Sequence, residues 1–145
     1  MYEDIHSSIG FKISQTANRL NYDFVHVLSP FDIAPEQRAT LELISKDNQV
    51  NQTKIASILG KNKTTVCRSL NALEKKELIK RDCQEKDKRV NIIKLTQKGK
   101  DVLQASQESV IKFREKLSSD LTKEEINKLF ELLNKVSNTV SKEDF

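Results

Sequence analysis

Midway along the chain the spacing of apolar residues changes period, and that change restricts the fold more than any other feature. Ile55, Ile58 and Leu59 share one helical face, and Val66, Leu70 and Leu73 share another at spacings of four and three, the pattern of two short amphipathic helices. Asn51 can cap the first of them, and Gly60 supplies the turn between them, where positive φ is cheap. From Leu78 the period drops to two. LIKR, a polar loop DCQEKDKR and VNIIKL read as a two-stranded hairpin over about residues 78–95 with a charged tip. A tight pair of helices that runs directly into a hairpin leaves few architectures open.

The flanking segments keep the helical period. Ile5, Ile9, Ile13, Ala17, Leu20, Phe24 and Val27 predict one long helix over residues 5–28, and Pro35 fits the first position of a second, over 35–46, in which Ala39, Leu43 and Ile44 continue an apolar stripe. Thr96 offers an N-cap for a fifth helix marked by Val102, Ser106, Val110, Phe113 and Leu117. Thr122 and Glu125 form a capping-box pattern ahead of Ile126, Leu129, Leu133, Val136 and Val140. That last stripe has the alternating three-and-four spacing of a coiled-coil seam and is expected to face a second subunit. Only three glycines and two prolines punctuate 145 residues, too few turn formers for a sandwich or barrel. The expected fold is mainly α, a winged helix-turn-helix in the order α1-α2-α3-α4-β-β-α5-α6.

Charge is distributed as unevenly as period. The net charge is +4, yet residues 54–100 hold 14 Lys/Arg against 5 Asp/Glu, a local +9 that leaves −5 for the rest. Such a segment suits a polyanion, and the predicted fourth helix shows where it would bind. Opposite Val66, Leu70 and Leu73 lie Thr64, Arg68, Asn71 and Lys75, a line of hydrogen-bonding and cationic groups without a carboxylate. Arginine can grip guanine O6 and N7, asparagine can pair with adenine N6 and N7, and threonine can touch a thymine methyl or a phosphate. Lys61, Asn62, Lys63 and Thr65 gather at the start of the same helix, where free N–H groups and the macrodipole favour a phosphate. Lys86, Lys88 and Arg89 stand at the hairpin tip, placed for a narrow minor groove, and Asp87 among them is assigned to pinning the wing through Arg89 or another nearby arginine. A plain solvated face is the bland alternative for each of these groups, and a protein-binding winged helix is the functional one. The latter would need apolar anchors on the exposed face.

The run TKIASILGKNKTTVCRSLNALEKKELIKR, followed by DKR and LTQKG, resembles the MarR family of bacterial winged-helix regulators over essentially the whole chain. The most specific marks are the D-x-R of Asp87, Lys88 and Arg89 and the L-T-x-K-G of Leu95 to Gly99. The resemblance implies a sequence-specific, double-stranded-DNA-binding transcriptional regulator, in the repressor role. It implies a homodimer joined through its N- and C-terminal helices on a pseudo-palindromic operator, with Arg68 on the recognition helix and Arg89 in the minor groove. The expected division is an N-terminal dimerisation helix (1–34), a DNA-binding lobe (35–97) and C-terminal dimerisation helices (98–145). A small aromatic or phenolic acid is the effector class that the resemblance implies. Phe11, His26, Phe31, Arg38 and Phe113 could line its site but read as core or solvated side chains, so no ligand residue is assigned. Two departures stand out. Glu77 replaces the glycine expected after the recognition helix, which predicts an end without a left-handed glycine cap and a shifted junction with the wing. Ala34, before Pro35, lacks a capping oxygen.

Other functions find little support. His6 and His26, the only histidines, fall on one predicted helix about 30 Å apart by helical rise. No Cys/His metal set, nucleophile elbow or phosphate-binding glycine loop is present, so neither an enzyme nor a cofactor is expected. Cys67 and Cys83 lack a CxxC partner and are expected to be reduced, dispensable thiols. No apolar run approaches the roughly 18 residues of a membrane span, and the acidic start MYEDIHSSIGFK is unlike a signal peptide. The expected location is the cytoplasm.

Overall fold

The structure, a computed structural model, describes residues 4–84 and 87–140, and the side chains of these except 82–91. Its elements follow the expected order: α1 (Ile9–Leu28), α2 (Pro35–Lys46), α3 (Gln52–Leu59), α4 (Lys63–Lys75), β1 (Ile79–Gln84), β2 (Asp87–Leu95), α5 (Gln97–Ser118) and α6 (Lys123–Val140). Short 3-10 turns occupy Ile5–Ser7 and Ser29–Phe31. Two compact units result, residues 1–110 and 111–145.

The first unit holds the core. Leu28, Ile33, Leu41, Ile44, Val50, Ile55, Val66, Leu70, Leu73, Ile79, Ile93 and Val110 are buried together, with Phe24, Phe31 and Leu95 packed against them. Within this core lies a cation. Arg38 is only 1% exposed. Its Nε donates to Ser106 Oγ at 2.8 Å, Nη1 to Glu42 Oε2 at 2.9 Å and Nη2 to Gln107 Oε1 at 2.7 Å. Burial of a guanidinium is tolerable because each nitrogen finds an acceptor, and this explains why the polar Ser106 sits in an otherwise apolar stripe. Arg38 therefore ties α2 to α5 from inside.

Several expectations change at this level. The first helix does not run unbroken from residue 5: Asp4 caps a 3-10 turn, and Ser8 then caps α1 by accepting from Phe11 N at 3.2 Å. A serine at the N-cap competes with continuous helix because its side chain satisfies an N–H that lacks a helical partner. His6 and His26 thus lie on separate elements. On α3 the buried face comprises Ile55 and Ala56, with Leu59 packed against the core, while Ile58 is 54% exposed. The segment 82–89, read as a loop, is largely strand, since β1 reaches Gln84 and β2 begins at Asp87. Antiparallel pairing satisfies the backbone whatever the polarity of the side chains, and a register shift at Cys83/Gln84 absorbs the mismatch. Ala34, without an oxygen, receives half a capping box: Gln37 Oε1 accepts from its N–H at 3.1 Å.

In the second unit α6 starts with the expected box, Thr122 N to Glu125 Oε1 at 3.0 Å and Glu125 N to Thr122 Oγ1 at 3.1 Å. No residue of α6 is buried, and its apolar face carries Phe130 at 63% and Val140 at 68% exposure beside Leu129, Leu132 and Leu133. Among the described residues no helix is long and apolar enough to cross a membrane.

Candidate nucleic-acid interface

α3 and α4 meet at a tight left-handed turn. Gly60 has φ 65°, and Lys61 N donates to Ala56 O at 3.0 Å. Without a Cβ this conformation carries little strain. Asn62 then caps α4, accepting from Thr65 N at 2.8 Å, and Gln52 Nε2 donates across to Lys63 O at 3.2 Å. The first helix thus braces the second. Capping also divides the expected phosphate site. The Asn62 oxygen and the Thr65 N–H serve each other, and the N–H groups of Lys63 and Thr64 are the ones that intrahelical geometry leaves open.

The two faces of α4 separate cleanly. Val66, Leu70 and Leu73 are buried, while Thr64, Arg68, Asn71 and Lys75 are exposed along one line, with Lys61, Asn62 and Lys63 exposed ahead of them and Thr65 half-buried. Arg68 makes no hydrogen bond or ion pair among the described residues. Asn71 is engaged: Arg81 Nη2 donates to its Oδ1 at 2.9 Å, and Arg81 Nε lies 3.8 Å from Glu74 Oε2. Sequence reasoning missed Arg81. Its signal was the strand period, which puts it on the same side of β1 as buried Ile79. Cys67 is a half-buried free thiol.

The far end of α4 is clamped from three sides. Leu78 N donates to Leu73 O at 3.0 Å and Glu77 N to Glu74 O at 2.9 Å, and Glu77 itself takes φ 62°. The left-handed cap therefore forms at Glu77 without a glycine. Thr96 Oγ1 donates to Glu77 O at 2.6 Å while accepting from Gly99 N at 3.0 Å, and Lys98 Nζ reaches Lys76 O at 3.1 Å. A Cβ on Gly99 would lie 2.1 Å from Leu78 O. The Leu95–Gly99 motif is thus the joint that fixes the end of the recognition helix against the start of α5. From the other side, Lys76 Nζ donates to Asp32 O at 2.8 Å.

Lys86 lies outside the described residues, as do the side chains of Cys83, Asp87, Lys88 and Arg89. The backbone of β1 and β2 forms the antiparallel hairpin that would carry them, with Ile79 opposite Leu95 and Arg81 opposite Ile93. Among the described residues no group of three or more His, Cys, Asp or Glu side chains could hold a metal ion.

Comparison with known proteins agrees with this geometry. A family model described as MarR family matches residues 33–90, the stretch from the end of the α1–α2 connection into β2. A MarR/EmrR family transcriptional regulator from Acinetobacter sp. ADP1 is 26% identical, with a TM-score of 0.88 over 96% of this chain and 99% of its own. MepR of S. aureus, solved in a complex with DNA, is 25% identical with a TM-score of 0.82, covering 92% of this chain and 96% of its own. The transcriptional repressor CouR, bound to p-coumaroyl-CoA, is 26% identical with a TM-score of 0.78, covering 99% of this chain and 98% of its own. The helix-turn-helix and hairpin of residues 33–90 thus match the MarR family, and the whole element order is shared with MarR-family winged-helix transcriptional regulators.

Proposed function

We propose that the protein is a homodimeric transcriptional repressor that reads a pseudo-palindromic operator, with α4 in the major groove and the β1–β2 hairpin against the minor groove. The observation that carries this reading is the exposed line Thr64, Arg68, Asn71 and Lys75 on a helix braced at both ends. It is rigid, cationic and free of apolar anchors, which suits base edges better than a protein partner. Lys61 and Lys63 with the open N–H groups of α4 take phosphates. Lys86, Lys88 and Arg89 supply the minor-groove cations, and Asp87 holds the wing. Support for DNA as the partner comes from MepR, solved with DNA.

Dimerisation follows from the apolar faces that α1 and α6 each leave exposed, Ile9 and Leu20 on the one and Leu129, Phe130 and Leu133 on the other. Faces of this width on charged helices are covered in stable proteins. Residues 1–34 and 98–145 accordingly join the subunits, and residues 35–97 bind DNA. The effector is a small aromatic or phenolic acid or its thioester, a reading supported by the p-coumaroyl-CoA held by CouR. Selection of bound sequences from random duplexes, repeated with a panel of aromatic acids, tests the proposal. The expected result is a pseudo-palindrome with half-sites about one helical turn apart, depleted by at least one acid. Failure to enrich any sequence would turn the assignment toward a protein-binding module.

A further inference from the structure

Asn71 stands within the exposed line of α4, and an asparagine there has two ways of meeting a base. With both amide atoms open it matches adenine, whose N6 donates and whose N7 accepts. With a cation on its oxygen the second lone pair is disfavoured for a further donor, and the two amide N–H groups match acceptors. The contact with Arg81 decides between these. Arg81 Nη2 lies 2.9 Å from Asn71 Oδ1, and because a guanidinium has donors only, chemistry alone requires the facing atom to be the amide oxygen. Nδ2 is left 3.8 Å from Cys67 Sγ, a weak acceptor that does not compete with a base. Arg81 is itself held in place: its side chain is 20% exposed, its Nε is buried without a hydrogen-bond partner, and Glu74 Oε2 lies 3.8 Å from that nitrogen. A fixed positive charge therefore sits beside the one acceptor Asn71 owns. An adenine amino group, also positive at its hydrogens, would have to approach the same oxygen against that charge.

We infer that Arg81 is a positioning residue for base recognition. By holding the Asn71 oxygen it makes the Asn71–Arg81 pair read mainly as donors, which favours guanine, with acceptors at both O6 and N7, over adenine, whose N6 donor would face the cation. The inference rests on the operator-reading function proposed above and specifies what one position of that operator must be.

The test compares sequences selected from random duplexes by the wild type, Asn71→Ala, Arg81→Met and Arg81→Lys, with folding of each variant checked by its melting transition. One position per half-site should favour guanine by about tenfold in the wild type. That preference should vanish in Asn71→Ala, move to adenine in Arg81→Met and persist in Arg81→Lys, whose ammonium is also a donor without an acceptor. Should Arg81→Met fail to fold, 7-deazaguanine at this position replaces it: the missing N7 should weaken the wild type about tenfold and leave Asn71→Ala unaffected. A wild-type preference for adenine at the Asn71-dependent position, no position dependent on Asn71, or an equal loss by Arg81→Met across all positions overturns the inference. If the wild type enriches no sequence at all, the operator reading itself fails and takes this inference with it.

Discussion

Two residues show how far side-chain identity alone can mislead. Arg38 is a charged residue at the centre of the first unit, with Ser106, Glu42 and Gln107 as acceptors. Arg38→Ala takes the guanidinium donor from all three and should lower stability by about 3 kcal/mol, measured by urea denaturation at fixed protomer concentration. A loss below about 1 kcal/mol would mean that water serves these groups as well as the arginine does. Glu77 is the opposite case, a residue whose backbone is costly and whose side chain is exposed. A non-glycine residue in the left-handed region costs roughly 1 kcal/mol, and the extra unfolded-state freedom of glycine returns part of that. Glu77→Gly should therefore stabilise by about 0.5–1 kcal/mol in the same assay. The alternation along β1 carried a signal for the side Arg81 takes, which the sequence reading missed, and no signal for its partner. A contact between residues ten apart on a helix and a strand depends on how the two pack, and periodicity carries no information about that.

At the scale of elements, existence and order were legible and edges were not. Apolar and β-branched patterning located all six helices and both strands because each carries one face better kept from water. It failed where a local hydrogen bond outweighs the pattern, as at Ser8, and where backbone pairing is indifferent to polarity, as at Asp82–Gln84 and Asp87–Arg89. The Leu95–Gly99 motif was legible as a family mark, but its purpose required the structure. It joins three elements by hydrogen bonds from Thr96 and Lys98 and by the close approach of Gly99 to Leu78 O. Because the obstructing atom is backbone, relief would need movement of the joint itself. Gly99→Ala should cost about 3 kcal/mol or more and weaken DNA binding beyond any loss of folded protein, since the end of α4 shifts with it. Circular dichroism melting together with binding at a temperature where the variant is fully folded separates the two effects. A variant with wild-type stability would show that Gly99 is not the limiting contact.

Over the whole molecule the division of labour follows charge and apolar exposure. The +9 of residues 54–100 falls on the segment that contains α4, and α1 and α6 carry exposed apolar side chains. Sedimentation equilibrium at micromolar concentration should therefore return twice the 16.6 kDa chain mass. A clean monomer would contradict the assignment of those faces. Whether the exposed face of α4 reads base edges is decided by titrating the wild type and Arg68→Ala against the selected operator and a scrambled duplex over a range of salt. The wild type should prefer the operator, and Arg68→Ala should lose roughly 1–3 kcal/mol per half-site on it while changing little on the scrambled duplex, because a base contact carries sequence information that phosphate contacts lack. Equal losses on both duplexes, or none on either, would contradict base reading by α4.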